Sequence, residues 1–324
     1  MSASKKSTVS VVMSVYNGER YLRDAVDSIL RQSFQDFEFI IINDGSTDQS
    51  GKILASFAAE DGRIRIIDVP NQGLTKSLNL GLTFCQGQYV ARMDADDVSL
   101  PDRFAKQVAF LARSNETVAL GAAVEWIDED DESLGIWERP ITHEALEKEH
   151  LSGLSGCIVH PSVMLRASTL KEIGGYREHL STGQDYDLFL RLGEIGRIGN
   201  LPEVLLRYRL HLGCVSFTRS VEQYEAVCEI LCEAFLRRGL NLGDMPVPPP
   251  FIRSTIEDSL VTFAKIAMRS GNLHVAQKHA VRALRRLPMR HPAWPQMVRV
   301  VYGKWAGRIA QRLPRQMILR LSRA

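Results

Sequence analysis

The sequence predicts an α/β fold with a mostly parallel central sheet, followed by a helical C-terminal region. Apolar, β-rich segments alternate with helix-patterned segments through the first hundred residues, and each apolar segment ends in a polar loop. After His211 the apolar spacing is helical only. Strands that alternate with helices at this interval form right-handed crossover units, which produce a parallel sheet covered on both faces.

The first four strands follow one plan. The segment VSVVMSVYNG (9–18) is apolar and ends in a turn, and residues 19–33 then place apolar side chains on one helical face. The plan repeats at 37–57 and at 64–85, and a fourth strand, GQYVARMDADD (87–97), ends in acidic residues. Open α/β sheets bind ligands at the carboxyl ends of their strands, so the loops after these strands form the predicted site.

Beyond residue 104 the alternation loosens. We predict a strand pair with an acidic turn at 117–140, and a strand and helix that end at two glycines at 155–175. A helix follows at 185–196 and a last strand at 200–211. Three further helices follow, one at 219–238 and two at 259–288. The proline-rich segment 245–251 is a connector between helices. The predicted domains are a disordered N-terminus (1–7), an α/β domain (8–217) and a helical, basic region (218–324).

Composition excludes several classes of protein. At 324 residues and 45% hydrophobic content, the chain is long enough for one large and one smaller domain. The five cysteines are scattered without metal-binding spacing, which predicts reduced thiols and a cytoplasmic location. The longest uncharged stretch, 151–165, contains His, Pro, Ser and Gly and is not a membrane span. The apolar run after Lys6 is too short for a signal peptide.

Charge is divided unevenly along the chain. Residues 259–324 contain 14 Lys and Arg and no Asp or Glu, whereas the preceding residues contain 26 Lys and Arg against 38 Asp and Glu. Within this basic end, an apolar stripe at helical spacing comprises Trp294, Val298, Val301, Trp305 and Ile309. Such a helix binds either an anionic surface at the inner face of a membrane or the protein's own acidic domain, and the sequence leaves both open. No nucleic-acid module is recognisable, so no nucleic-acid partner is predicted.

Three acidic residues, Asp94, Asp96 and Asp97, end the fourth strand. Carboxylates are ligands for Mg²⁺ or Mn²⁺, which take their other ligands from phosphates and water, so the cluster predicts half of a metal site that a substrate diphosphate completes. An EF-hand loop is excluded, because it would need Gly and Glu where Ser99 and Ala105 stand. The stretch DADDV also resembles the nucleophile motif of haloacid-dehalogenase-type phosphatases, but that motif belongs on a first strand.

Four segments, in this order, resemble the family 2 inverting glycosyltransferases with the GT-A fold: 9–50, 71–103, 160–178 and GQDYDLFLRL (183–192). The resemblance covers residues 8–216, about two thirds of the chain. Several separated motifs in the right order are more specific than any single one. The resemblance implies a GT-A domain, Rossmann-like with a mostly parallel central sheet, that binds a nucleotide-sugar donor.

The resemblance also implies donor-binding residues. Asp44 would hydrogen-bond the nucleotide base, and Tyr16 and Asn17 would line the base and ribose. Asn71 lies at the end of the third strand and is placed in the same group. Asp94 would contact the ribose or the metal. The alternative for polar residues at strand ends is that they cap helices and form turns.

The remaining implied roles concern the metal and the chemistry. Asp96 would bind the metal directly, and His211 and Ser216 resemble a downstream His and Ser near the diphosphate, which makes His211 the second predicted metal ligand. Asp185 matches the family's catalytic base, with Gln184 in place of the Glu that usually precedes it. Because Asp185 opens a helical segment, a helix N-cap is its alternative role.

Together these roles predict a metal-dependent inverting glycosyltransferase. It would move one sugar from a nucleotide-sugar donor, UDP-linked, to a hydroxyl of a glycan or lipid-linked acceptor in bacterial surface polysaccharide synthesis. The QxxRW signature of processive members is absent from the sequence, which favours single-sugar addition. The alternatives are a sugar nucleotidyltransferase, which SVYNGERYL fits poorly for lack of a glycine-rich loop, and a non-catalytic scaffold of the same fold, which Asp96 and Asp185 speak against.

Overall fold

The structure is a computed structural model that describes residues 7–214, 220–248, 255–288 and 290–309. The predicted disordered N-terminus, apart from Ser7, lies outside the described residues, as do the predicted boundary at residue 217 and the end of the proline-rich connector. The chain forms two compact units. The first unit comprises Met1–Val124, Glu138–Tyr208 and Glu222–Pro250, and the second comprises Glu125–Trp137, Arg209–Val221 and Phe251–Ala324.

The described elements follow the predicted order of strands and helices, with two additions that the sequence analysis did not predict, a short strand at Val98–Ser99 and a helix at His143–His150. The strands are β1 (Val9–Val15), β2 (Phe37–Asp44), β3 (Ile64–Val69), β4 (Tyr89–Met93), β5 (Val98–Ser99), β6 (Thr117–Ile127), β7 (Ser133–Trp137), β8 (Met164–Arg166) and β9 (Arg197–Arg209). The helices are α1 (Leu22–Leu30), α2 (Ser50–Glu60), α3 (Leu74–Phe84), α4 (Arg103–Arg113), α5 (His143–His150), α6 (Ala167–Glu172), α7 (Gln184–Gly193), α8 (Ser220–Arg237), α9 (Ile256–Arg269), α10 (Leu273–Arg286) and α11 (Trp294–Ile309).

The sheet is mixed, with a parallel first half. Its strand order is β3-β2-β1-β4-β8-β6-β9-β5, and β7 pairs with β6. The first four strands are parallel, and Val12 of β1 lies between Ile40 of β2 and Arg92 of β4. Antiparallel pairing begins at β8, which lies beside β4. The α/β sheet expected from the alternating pattern is therefore confirmed, with its parallel strands in the first half, and it is followed by the expected helical region.

Close packing of helix on sheet holds the parallel half together. The strands β1 and β4 are buried along nearly their whole length, since helices cover both faces of a parallel sheet. Helix α3 approaches β1 so closely that a Cβ on Gly81 would lie 2.7 Å from a methyl carbon of Val12. Glycine at this position thus allows the helix to lie directly against the strand.

Helix α8 belongs to the first unit, although the sequence places it with the C-terminal helices. Its Glu233 forms an ion pair with Arg177. Its Ile230 and Ala226 lie 3.2 Å and 3.6 Å from the position that a Cβ on Gly183 would occupy, just before α7. These contacts join residues about fifty positions apart, which a pattern along the sequence does not reveal.

The second unit contains the helices α9, α10 and α11. Helix α9 begins with a capping box, in which Thr255 and Asp258 bind each other's backbone amides. Trp294 and Val298 of α11 are 3% and 1% exposed, and α11 packs against α10 of the same unit. The start of the apolar stripe is therefore used within the basic region itself, while the side chains of the stripe beyond residue 303 lie outside the description. None of the described helices is both long and apolar enough to cross a bilayer.

Candidate active site

The predicted donor-binding residues lie at one edge of the sheet. Because β1, β2, β3 and β4 are parallel neighbours, their carboxyl ends and the loops that follow them meet at the same edge. This edge carries all five predicted donor residues in the first unit, Tyr16, Asn17, Asp44, Asn71 and Asp94. The arrangement follows directly from the strand order.

Asp44 fixes the loop before α3. The side chain is 2% exposed, its Oδ1 accepts the Gln72 N–H at 2.8 Å and its Oδ2 accepts the Gly73 N–H at 3.0 Å. Gly73 has a φ of 92°, which glycine adopts without strain. A buried carboxylate is stable here because two amide donors satisfy it. Asp44 therefore shapes the loop that carries Asn71, and its contact with a nucleotide base stays a prediction.

Asn17 and the loop after β2 hold each other in place. Asn17 has a φ of 51°, a left-handed conformation that Asn tolerates better than most residues. Its N–H donates to Ser46 Oγ at 3.1 Å, and its Oδ1 accepts the Thr47 N–H at 2.8 Å. Tyr16 beside it is 56% exposed. An exposed aromatic ring next to a rigid turn offers a face on which a nucleotide base can stack.

Asp94, Asp96 and Asp97 after β4 form what we call the strand-end cluster. Their carboxylate oxygens lie within 4.8 Å of one another, a spacing at which several oxygens can bind one cation. Arg92, two residues earlier and 3% exposed, forms an ion pair with Asp94. Burial raises the pKa of Asp94 although the Arg92 guanidinium opposes the shift, and the Asp96 carboxylate adds to the rise. The acids of the cluster thus act on one another, which favours the arrival of a cation.

Asp185 lies in the first turn of α7, after Gly183 in a left-handed conformation. Its Oδ1 accepts the Tyr186 N–H at 2.9 Å. Burial raises the pKa of Asp185, while backbone hydrogen bonds and Arg92 oppose the shift. Asp185 is also one of the charges that raise the pKa of Asp94, so the two carboxylates act on each other electrostatically. A carboxylate with a raised pKa accepts a proton more readily, which suits a general base.

Arg92 and Tyr176 also belong to this site, although sequence reasoning gives neither of them this place. Tyr176 Oη lies 2.7 Å from His160 Nε2. Burial, and then Arg92, lower the pKa of His160 well below its usual value, so the imidazole is neutral and satisfied by its neighbour. The charges of Arg92, Asp185 and Asp94 all act on Tyr176. The spacing of Arg92 and Asp94 is the only sequence signal, because residues two apart on a strand share a face.

The family model for Glycosyl transferase family 2 matches residues 10–174, about half of the chain. The chain belongs to glycosyltransferase family 2. The matched range contains β1 to β4, the strand-end cluster and α6, and it ends before Asp185. The matched range therefore includes the predicted donor-binding residues and excludes Asp185, and the roles of all of them stay predictions.

Similarity to one curated glycosyltransferase extends over most of that protein. The O-antigen biosynthesis glycosyltransferase WbnJ of Escherichia coli is 35% identical over 207 residues, which cover 63% of this chain and 80% of the relative. Identity at this level over four fifths of a protein is a relationship of the whole domain and not of a short motif.

Solved structures show the same fold at low sequence identity. The Staphylococcus aureus TarS 1–349 structure in complex with UDP-GlcNAc has a TM-score of 0.61 at 17% identity, and the match covers 98% of this chain and 91% of TarS. The mannosyltransferase PcManGT of Pyrobaculum calidifontis, in complex with GDP-Man and Mn²⁺, has a TM-score of 0.54 at 16% identity, with coverage of 99% and 85%. Identities this low establish the fold alone.

Gln184, His211 and Ser216 are the remaining predicted site residues of this family 2 chain. Gln184, which replaces the expected Glu, is buried beside Asp185 at the start of α7. His211 follows β9 in the second unit, where its N–H donates to Cys214 Sγ at 3.3 Å and its Nδ1 accepts the Gly213 N–H at 3.1 Å. Ser216 lies outside the described residues. The assignment of His211 as a metal ligand stays a prediction.

Proposed function

We propose that this family 2 chain is a metal-dependent inverting glycosyltransferase that moves a single sugar from a UDP-linked donor to a hydroxyl of a glycan or lipid-linked acceptor. The observation that carries the proposal is that Asp94, Asp96 and Asp97 bring carboxylate oxygens within 4.8 Å of one another at the edge of the sheet where α/β folds bind ligands, with Asp185 acting electrostatically on Asp94. A proton acceptor next to a cation-binding group of carboxylates is the combination that sugar transfer requires.

The residues of the chain have distinct tasks in this reaction. Asp185 accepts the proton of the acceptor hydroxyl while the hydroxyl oxygen attacks the anomeric carbon of the donor sugar. The hydrogen bond from the Tyr186 N–H orients the Asp185 carboxylate, and its raised pKa favours uptake of the proton. A single displacement from the face opposite the departing diphosphate inverts the anomeric configuration.

Mg²⁺ or Mn²⁺ fits the strand-end cluster by the chemistry of its donors. All three side chains offer carboxylate oxygens within 4.8 Å of one another, and these hard ligands are the ones that both ions prefer. Asp96 would bind the ion directly, and Asp94 would lie beside it or beside the ribose. When bound, the ion offsets negative charge on the departing nucleoside diphosphate.

The donor and acceptor classes rest on the open loops and on the relatives. Tyr16, Asn17, Asp44 and Asn71 would surround the base and ribose at the sheet edge. TarS was solved with UDP-GlcNAc, which supports a UDP-linked sugar, and PcManGT was solved with Mn²⁺, which supports the metal. WbnJ is an O-antigen biosynthesis enzyme, which supports an acceptor in surface polysaccharide synthesis.

A binding screen on the full chain tests the proposal. Thermal shift would be measured with UDP-, GDP- and dTDP-sugars, each with and without Mn²⁺. We expect a rise in Tm that needs both Mn²⁺ and the UDP class, because ligand binding to the folded state alone stabilises it. Lack of any shift, or equal shifts without Mn²⁺, would contradict the metal-dependent donor site.

Product analysis then separates the reaction types. Transfer with the donor identified in the screen should release the nucleoside diphosphate and give a product of inverted anomeric configuration by NMR. Retention of configuration would reject Asp185 as the base of a single displacement. Release of pyrophosphate from a nucleoside triphosphate and a sugar phosphate would identify a nucleotidyltransferase instead.

We also propose that the basic C-terminal residues bind an anionic surface at the inner face of the membrane, where lipid-linked acceptors would be reached. The support is charge, because residues 259–324 contain 14 basic and no acidic residues, and Arg299 of α11 is exposed. Each basic residue near such a surface contributes about 1 kcal/mol. Flotation with anionic vesicles should weaken when Arg308, Arg312 and Arg315 are replaced by Gln. Unchanged flotation would reject the proposal.

A further inference from the structure

The backbone of Arg92 is held inside the sheet of the first unit. Its strand, β4, lies between β1 and β8, and Arg92 pairs with Val12 in the parallel ladder. Its N–H donates to the Val163 carbonyl oxygen at 3.0 Å. The residue is 3% exposed. Because the side chain is this deeply buried, its guanidinium has little room to move away from a partner.

A buried guanidinium needs compensating charge, and that of Arg92 comes from the site. Arginine stays charged at working pH, so its burial is stable only with paired carboxylates or other acceptors. Asp94 forms the ion pair, and the Asp97 carboxylate contributes further negative charge. The positive charge of Arg92 also acts on Asp185 and His160. Arg92 is therefore electrostatically connected to both halves of the proposed reaction centre.

The neighbouring buried cation has a different task. Arg103 of α4 donates from its Nη2 to the carbonyl oxygens of Arg92 at 2.8 Å and of Val163 at 3.1 Å. It thus binds the backbone of the sheet and the loop before β8, whereas Arg92 binds a carboxylate of the strand-end cluster. The contrast separates a guanidinium that supports the scaffold from one that faces the site.

We propose that Arg92 is a positioning residue of the donor site, a fixed guanidinium that holds Asp94 in place and supplies positive charge among the site carboxylates. The inference rests on the proposed function, because positioning of Asp94 matters to a nucleotide sugar only if one binds. It assigns to Arg92 no contact with the reacting atoms. Arg92 acts through Asp94, and this route is what an experiment can detect.

A double-mutant cycle on the full chain tests this route. The dissociation constant of UDP in the presence of Mn²⁺ would be measured by calorimetry for the wild type, Arg92→Met, Asp94→Asn and the double variant. We expect Arg92→Met to weaken binding about tenfold in the wild type and less than about threefold when Asp94 is already Asn, because coupled residues are not additive. Equal losses in both backgrounds would overturn the inference.

Arg92→Lys separates charge from shape and keeps the test valid if the Met variant does not fold. Lysine retains the charge without the planar fork, so UDP binding should fall between wild type and Arg92→Met, and the same cycle can be run with it. For the donor, KM should rise more than kcat falls. Equal loss of UDP binding in Lys and Met variants that both fold would contradict a role for the charge. A wild type that does not bind UDP with Mn²⁺ rejects the proposed function and this inference together, whereas binding without coupling rejects only this inference.

Discussion

Two acidic clusters in this chain share a spacing and differ in what surrounds them. The strand-end cluster lies in the first unit, and Asp128, Asp130 and Glu132 form a second group in the turn between β6 and β7, which we call the hairpin cluster. Each brings three carboxylate oxygens within 4.8 Å of one another. In the hairpin cluster, Lys278 Nζ lies 2.7 Å from Asp128, 2.7 Å from Asp130 and 2.5 Å from Glu132.

The source of compensating charge therefore distinguishes the two clusters. The Lys278 ammonium contacts all three acids of the hairpin cluster, and His279 Nε2 lies 2.8 Å from Asp128, so that this cluster binds α10 to the turn of its own unit. In the strand-end cluster, Arg92 is paired with Asp94, at the sheet edge where α/β folds bind ligands. Closeness of acidic residues is thus a poor criterion for a metal site. Whether such a cluster can bind a metal ion depends on its position in the fold and on the basic side chains that pair with it.

The largest effect is expected from Asp185→Asn, which tests whether Asp185 stands apart from the cation-binding acids. The change keeps the shape of the side chain and removes the proton acceptor, so kcat should fall about 1000-fold. The dissociation constant of UDP with Mn²⁺ should change by less than about threefold, because the cluster itself is intact. Initial rates and calorimetry measure the two quantities. A parallel loss of UDP affinity would place Asp185 with the metal ligands instead.

Asp96→Ala should have the next largest effect, on donor binding. Removal of a direct ligand should weaken Mn²⁺-dependent UDP binding about 100-fold, which corresponds to about 2.7 kcal/mol. The matched control is Asp130→Ala, an acid of the hairpin cluster that should leave UDP binding unchanged. Calorimetry with and without Mn²⁺ checks both variants. If the two variants behaved alike, the distinction between the clusters would fail.

Lys278→Met tests the hairpin cluster from the other side. Three carboxylates would lose their shared cation, and the free energy of unfolding should fall by about 2 kcal/mol, a value between those of exposed and buried ion pairs. Because the vacated position is lined by oxygens, Ca²⁺ should restore part of the loss. Urea unfolding with and without Ca²⁺ measures this, with Arg269→Met, an exposed residue of the same unit, as control. If the variant is as stable as the wild type and Ca²⁺ does not change its free energy of unfolding, the Lys278 ammonium does not occupy the position of a metal ion.

The smallest expected effect is the pH dependence of the stability that Lys278→Met loses. Burial alone would raise the pKa of Asp128, but hydrogen bonds from His279 and Lys278 hold it well below its usual value of 3.8. The unfolded chain therefore binds more protons than the folded one near and below this pH, so the stabilisation is complete above 3.8 and is lost as pH falls. The difference in unfolding free energy between wild type and Lys278→Met should shrink by at most about 1 kcal/mol between about pH 6 and about pH 3, because the His279 hydrogen bond keeps part of the pKa shift in the variant. If the difference stayed constant with pH, Lys278 would have no effect on the pKa of Asp128.

Much of the donor side could be predicted from local pattern. The runs before Asp44 and before Asp94 are apolar and end in polar loops, so their strands and the edge on which they end follow from the sequence. The N-cap alternative for Asp185 is wrong, because Gly183 is the N-cap of α7 and Asp185 lies in the first turn, whereas its role as the base stays a prediction. The task of Asp44 is different, because its bonds to Gln72 and Gly73 depend on how the loop after β3 folds back.

The sequence by itself determined which segments form strands and helices and where the acids lie along them, because hydrophobic periodicity is a property of neighbouring residues. Only the tertiary structure decided which cation meets which acid. Lys278 and Asp128 are 150 positions apart. Helix α8 joins the first unit through Arg177 and Gly183. The start of the apolar stripe packs inside its own unit. Such partners are selected by packing and burial, which act between distant residues and leave no period in the sequence.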